Sequence, residues 1–444
     1  MLPESVLAGR LVPVAPDPVA LARGLSARGH RHVALLRAAD PTSPTWSRFS
    51  YVAADPDAES DRLDPFAPSP LPPASDLARA PRWIGVLPYE ARRSLERPSW
   101  RPDDTRPPAL IAAPRWLRYP AVAVIDHLAG TVLSVGESAP SALEFGLALR
   151  RAHAHEAGAA RDLRVVIEDD DPPAWHAERV AAARALILRG DLYQVNLARR
   201  LRVALRSGSP LALYERLAGA APSPFSAMLS LGETTVISTS PELLLAAEPG
   251  PRPASFGALV TEPIKGTRPR GAHAAEDRAL AAELDADPKE RAELSMIVDV
   301  ERNDLGRVAV TGSVRVTAPP HVVSHRTVHH RLARVAARAR PDLSRDEVLA
   351  SMVPSGSVTG APKVRAMEVI ATLEARRRGL YTGGLGFIRH DGGVVLAMAI
   401  RTVVLAGDEG EYWTGGGIVA DSDPARELEE TRWKALQLTR AASP

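Results

Sequence analysis

The sequence contains no cysteine, which removes disulfides, thiolate metal sites and thiol nucleophiles together. The same absence excludes a cysteine-dependent glutaminase. No run of eighteen apolar residues occurs, and the N-terminal MLPESVLAGRLVPVAPDP has no basic start followed by an apolar stretch. The chain therefore reads as soluble and cytoplasmic, with no membrane partner. Charge of one sign is missing too: 55 Lys and Arg stand against 53 Asp and Glu. A net charge of +2 is too even for a binder held by nucleic-acid phosphates. At 444 residues the chain can still bury a large core.

Lysine is scarce. Only Lys265, Lys289, Lys363 and Lys434 occur, against fifty-one arginines, and all four lie in the second half. The only asparagines are Asn196 and Asn303, and Gln194, one of two glutamines, stands beside Asn196 in GDLYQVNLARR. In a chain this biased towards Arg and Ala, a position that resists the bias marks a task arginine cannot perform. Lysine can lose its proton when desolvated, and the neutral amine is then a nucleophile. Lys265 in TEPIKGTRPRG has the frame for such a role. Pro263 stiffens one side, Gly266 lets the backbone bend on the other, and the Thr267 hydroxyl can bond a ligand oxygen. The plainer alternative is a salt-bridged lysine near a strand end.

Residues 1–155 read as a β-rich lobe of short strands and proline-rich loops, and residues 156–444 as a second, catalytic lobe. In the second, the pattern predicts a helix from Trp175 to about Arg189, stopped by Gly190 and followed by a strand. Further helices are expected at 210–220, 273–303, 344–352, 361–375 and 424–440, with hairpins between them. Hairpins without a regular βαβ repeat give an α+β class.

Asp287-Pro288 and Asp423-Pro424 each join an N-cap acceptor to proline at the first helical position. Glu290 and Glu293 follow on one helix, Glu427 and Glu430 on the other, each pair three residues apart and on one face. Like charges at that spacing repel, and a divalent cation is one way to offset the repulsion. Four carboxylates from two helices would make a hard oxygen site suited to Mg²⁺. For Glu290 a capping box with Asp287 is the structural alternative. PSGSVTGAPKVRAM offers a small-residue turn before a helix, and TGGGIVADSDP a run of amides at Gly415, Gly416 and Gly417. Neither is a Walker loop. Arg401 interrupts the apolar strand AMAIRTVVL, where a buried arginine needs an anion, from protein or from ligand.

Taken together, STSPELLL, PIKGTRPRG, KERAELSMIVDVERNDLGRV, HVVS, PSGSVTGAPKVRAMEVI, YTGGLGF, AIRTVV and GGGIVADSDPARELEETRWKA resemble the chorismate-utilising enzymes. Within them the chain looks closest to aminodeoxychorismate synthase component I and is related to anthranilate synthase component I. The resemblance implies a large two-lobed antiparallel β-sheet sandwich with helices outside. It implies Glu293 and Glu430 as Mg²⁺ ligands, supported by Glu290 and Glu427. It implies a substrate grip from Ser357, Tyr381, Arg401 and the amides of Gly415, Gly416 and Gly417, to which Thr267 and Lys434, one turn beyond Glu430, are added from their own placement. Glu242 in SPELLL matches the general acid, and His321 in HVVS the family's active-site histidine.

Two positions divide the family. Relatives that add water have a lysine where this chain has Gln194, and anthranilate-forming ones have PIAGT where this chain has PIKGT. Chorismate amination through Lys265 is therefore expected, with ammonia from a separate glutamine amidotransferase subunit. The alternatives are an anthranilate synthase component I and, in a different class, a non-catalytic regulatory subunit. ALLRAAD lacks the serine of the relatives' LLES, and APSPF lacks the asparagine of their NPSP. Feedback by tryptophan is accordingly not expected.

Overall fold

The computed structural model describes residues 7–38, 48–67, 76–94, 104–154, 162–252 and 254–442. Residues 39 and 40 of ALLRAAD, and parts of the proline-rich segments expected to be loops, lie outside these. Two large antiparallel sheets carry the structure. The first has twelve strands, and along its main path Ala8–Val12, Thr131–Gly136, Ala121–Asp126, Phe49–Ala53 and Ala34–Arg37 lead into Phe225–Leu231. Thr234–Ser240, Thr402–Ala406, Glu409–Ile418, Gln194–Ser207 and Gly360–Ala361 complete that path. The second sheet has ten, with Leu243–Pro249 and Val394–Met398 near its middle and Ile264–Pro269 and Ala58–Ser60 at the ends of its path.

The sheets face one another. Leu229, Val236 and Val404 of the first meet Ile84, Val86, Leu385 and Ala397 of the second in one core. Helices cover both outer faces. Leu21, Leu25, Phe145, Leu149, Leu213 and Leu438 seal the first sheet, while Leu294, Val298, Leu305, Leu349 and Met352 seal the second. The architecture is the two-sheet sandwich with external helices that the resemblance implied. The sequence division near residue 155 does not divide the sheets, however. Ala34–Arg37 pairs with Phe225–Leu231, and Pro81–Leu87 pairs with Gly384–Arg389, so each sheet takes strands from both halves.

The second-half helices fall close to their expected positions: Pro173–Leu188, Pro210–Ala220, Arg345–Met352, Lys363–Leu373 and Pro424–Ala442. The stretch 273–303 is two helices, Ala274–Ala286 and Pro288–Val308, broken at Asp287. Asp287 caps the second, its carboxylate accepting from the Lys289 and Glu290 amides at 2.9 and 3.2 Å. Asp423 does the same for the last helix, accepting from Ala425 and Arg426. Helices Pro18–Ala27 and Ala139–His153 lie in the half read as strands and turns.

Candidate active site

A cleft of about 710 Å³ opens between strand Ile264–Pro269, the starts of helices Pro288–Val308 and Pro424–Ala442, and the end of strand Glu409–Ile418. Twelve of the expected residues line it: Glu242, Lys265, Thr267, Glu290, Glu293, Ser357, Tyr381, Arg401, Gly415, Gly417, Glu430 and Lys434. Strand geometry explains the glycine edge. Thr402–Ala406 pairs with Glu409–Tyr412 and stops there, so Thr414–Ile418 has strand Gln194–Ser207 on one side only and turns its other edge to the cleft.

Three of the four glutamates, Glu293, Glu427 and Glu430, border that edge. A side-chain carbon added at Gly416 would lie 3.1 Å from Glu427 Oε2 and 3.4 Å from Glu430 Oε1. One added at Gly417 would lie 3.3 Å from Glu293 Oε1 and only 2.2 Å from Gln194 Nε2. Glu290 stands across the cleft, 3.1 Å from the place a side-chain carbon would take on Gly266, whose φ of +86° needs glycine. Among the described residues it makes no capping-box bond back to Asp287. Burial and the neighbouring carboxylates raise the pKa of Glu290 and Glu427, and Glu427 Oε2 is buried without a partner. Glu293 instead holds Lys265 Nζ at 2.8 Å, and Glu430 holds Lys434 Nζ at 2.7 Å. In this arrangement no three His, Asp or Glu side chains among the described residues close on one point tightly enough to hold an ion.

Lys265 is held in its charged form, contrary to the neutral amine a nucleophile would need. Burial disfavours the ammonium, but Glu293, with Glu242 and Glu430, outweighs burial and holds the pKa above the ordinary lysine value. Glu242 is the opposite case. Burial lifts its carboxyl to about 7 against the pull of Lys265, and it accepts from the Ser357 hydroxyl at 3.0 Å. The Ser357 hydroxyl is thus already engaged rather than free for substrate.

Arg401 has no ion pair among the described residues, its φ is +51°, and burial pushes its pKa below the ordinary value. A half-buried cation on a cleft wall, held by a backbone with positive φ, is suited to a substrate anion. Tyr381 stacks on Trp413, with ring centroids 5.9 Å apart. Lys434 also donates to the Gly415 carbonyl at 2.8 Å.

Three expected residues, Gln194, Gly416 and Glu427, stand behind the wall rather than in it. Gln194 is buried against Gly417, with its Oε1 unpartnered. The structure does not bring His321, expected as a site histidine, to the cleft. It is exposed on the outer strand Arg315–Ser324, bonded through Nδ1 to the Pro319 carbonyl at 2.8 Å. The next strand inward, Val328–Arg338, brings His330 to the cleft instead, with Nδ1 2.9 Å from the Thr267 hydroxyl. Burial and the Arg401 charge hold His330 neutral. No local signal separated it from His329 beside it. Asn196, Trp413 and Lys289 also line the cleft, and of these the rarity of Asn and Lys had already marked two.

A second cavity, of about 320 Å³, lies between the sheets behind Arg37 and Ala38, with Tyr51, Phe387 and Pro224 in its walls. Ala38 stands there in place of the serine of LLES.

A polar cleft with paired glutamates, a glutamic acid of raised pKa, a lysine and an arginine without an ion pair among the described residues offers the groups for acid–base or nucleophilic chemistry on a small anion. The chain belongs to the chorismate-binding enzyme family, whose pattern matches residues 27–440. It is 40% identical over 365 residues to anthranilate synthase component 1 of Thermus thermophilus, covering 81% of this chain and 76% of that one. It is 43% identical over 254 residues to an aminodeoxychorismate synthase of Streptomyces griseus, covering 57% of this chain and 34% of that longer protein. Among solved structures, anthranilate synthase component I from Streptococcus pneumoniae superposes with a TM-score of 0.75 at 29% identity, covering 88% of this chain and 92% of that one. The menaquinone-specific isochorismate synthase of Escherichia coli shares the fold, with a TM-score of 0.74 at 18% identity, covering 98% and 94%.

Proposed function

We propose that this chorismate-utilising enzyme forms 4-amino-4-deoxychorismate, towards p-aminobenzoate, in the cytoplasm, with Lys265 as nucleophile and Mg²⁺ at the glutamates. The observation that carries the product is the Lys265 amine in the cleft wall, between Glu293 and the acid Glu242. Arginine at 265 would stay protonated and could not attack the ring. The donor set suits magnesium, because Glu427 has a buried oxygen without a partner and two of the four carboxyls are strained towards protonation. Glu293 and Glu430 would hold the ion, with Glu290 and Glu427 behind them. Magnesium, when bound, supplies counter-charge for a substrate carboxylate.

The protein's own residues do the rest. Arg401, which lines the same cleft as Tyr381, Gly415 and Gly417, takes a second carboxylate. Glu242, protonated below about pH 7, gives its proton to the departing ring hydroxyl. Lys265 becomes nucleophilic only when Glu293 turns its charge elsewhere, since Glu293 is the largest of the charges that oppose burial at the amine. With no cysteine for a thiol glutaminase, ammonia would come from a separate glutamine amidotransferase subunit.

A second reading, anthranilate formation, is favoured by the anthranilate synthases of Thermus thermophilus and Streptomyces coelicolor, at 40% and 39% identity over most of the chain. Chorismate, Mg²⁺ and ammonium separate the two. Fluorescent anthranilate accumulating without an added lyase would overturn the first reading, whereas product that becomes fluorescent only after lyase addition supports it.

A further inference from the structure

Glu301 is a buried carboxyl that makes no ion pair among the described residues. It is 2% exposed and lies on helix Pro288–Val308, two turns beyond Glu293. Asp304, one turn further, takes Lys363 Nζ at 2.8 Å, and Lys363 also donates to the Ser351 carbonyl at 2.9 Å. Lys363 is thus ion-paired with Asp304, and its charge also acts on the Glu301 carboxyl against burial. Glu301 Oε2 has no partner, while Oε1 accepts from the Ser355 hydroxyl. Ser355 Oγ is 3.1 Å from Ser357 Oγ, and Ser357 donates to Glu242 Oε1 at 3.0 Å. Two buried carboxyls are thus joined through two hydroxyls, and each hydroxyl can donate in either direction.

We propose that Glu301, acting through Ser355 and Ser357, is the proton reserve of Glu242 and restores its acid form during turnover. The inference rests on the reading of Glu242 as general acid. It holds for either product, since both require the ring hydroxyl to leave. Glu242 gives its proton to that oxygen, the carbon–oxygen bond breaks with its electron pair on oxygen, and water departs. Ser357 then passes its proton to Glu242, Ser355 resupplies Ser357, and Glu301 resupplies Ser355. Incoming ammonia sheds one proton as its nitrogen becomes the ring amine. That proton returns along the same path in reverse, so no further reactant is needed.

Burial raises both carboxyls to about 7, so neither end traps the proton. Asp304 and Lys363 face Glu301, while Lys265, Arg401 and the Ile264 backbone face Glu242. Glu301 touches no part of the cleft and is a positioning residue.

The test compares Glu301→Gln, Ser355→Ala, their double variant, Ser355→Thr and Glu242→Gln, following chorismate loss with Mg²⁺ and ammonium across pH. Each single break in the chain should lower kcat about tenfold, less than the loss of a direct acid, with the KM for chorismate within about twofold. The double variant should be no slower than either single, because both break one path. Ser355→Thr keeps the hydroxyl and should restore the rate. A coupled pair keeps its last proton to higher pH than a lone acid, so Glu301→Gln should move the alkaline limb down by about one unit. Wild-type kcat with an unmoved limb in Glu301→Gln, or losses that multiply in the double variant, would overturn the relay while Glu242→Gln remains inactive. Full activity in Glu242→Gln would instead overturn the reading beneath it.

Discussion

Replacing Lys265 by alanine removes an amine held 2.8 Å from Glu293 Oε1, with two consequences that can be read separately. The first is chemical. Formation of aminodeoxychorismate should fall at least about a hundredfold, the lower end of what one positioned catalytic group contributes, and anthranilate should appear in its place. The second is electrostatic, because Lys265 competes with any cation for Glu293. Only 15% and 20% of the two side chains are exposed, so solvent does not erase the pairing. A hydrogen bond between charged groups contributes about 2 kcal/mol, and its loss should tighten apparent Mg²⁺ affinity by about thirtyfold. Chromatography of the products reads the first, and thermal stability titrated with Mg²⁺ reads the second without reference to turnover. Lys265→Arg is the companion variant: it keeps the charge facing Glu293 and so the weaker metal affinity, yet should lose the product. Aminodeoxychorismate at the wild-type rate from Lys265→Ala would refute the nucleophile, and unchanged Mg²⁺ affinity would refute the competition.

Other outcomes follow from the same geometry. Glu242, raised from 4.5 to about 7, contributes stability that is full below pH 4.5 and lost as pH rises through 7. Glu242→Gln should therefore raise the melting temperature at pH 8.5, reflecting about 3 kcal/mol at most, with no gain at pH 4. Gly417→Ala drives a methyl group to within 2.2 Å of Gln194 Nε2 and 3.3 Å of Glu293 Oε1. It should weaken Mg²⁺ stabilisation and activity together, and a fully active variant would contradict a working role for Glu293 at that edge. Lys363→Ala strands Asp304 in the interior, where breaking a buried pair costs about 3–5 kcal/mol, so denaturant melts should show a large loss. Tryptophan at micromolar concentration should leave the rate unchanged, because Ala38 stands in place of the serine of LLES in the second cavity; potent inhibition would contradict that.

Much of the site was legible because its parts are coded locally. Aspartate followed by proline announces a helix start, and glutamates three residues apart must share a face, so the carboxylate pairs could be read before any coordinates. The same signal at Asp17-Pro18 opens a helix in the first half, where the many neighbouring prolines masked it. His330 was not legible. Which of His321, His329 and His330 faces the cleft depends on strand order and register, since Val328–Arg338 lies between the outer strand and Ile264–Pro269. The sharing of both sheets across residue 155 escaped for the same reason, because pairing between distant strands leaves no mark on either one alone. The charge on Lys265 was likewise set by a partner 28 residues away in sequence, not by its own PIKGT frame.

The distribution of lysine shows why the rare residues were informative. Lys265, Lys289 and Lys434 line the cleft, and Lys363 lies buried beneath it against Asp304. Arginine could match a carboxylate at any of these places, so charge alone does not account for the choice. What distinguishes lysine is a compact, single-point ammonium on a flexible stem, able to leave one oxygen for another and, when deprived of its partner, to lose its proton. Lys265 and Lys434 each sit on a glutamate that a divalent cation would claim. A planar guanidinium, binding both oxygens and never deprotonating, would lock those glutamates. If Mg²⁺ takes those glutamates as proposed, the carboxylates exchange one cation for another, which favours lysine at the points of exchange and leaves arginine, as Arg401, where the charge stays fixed.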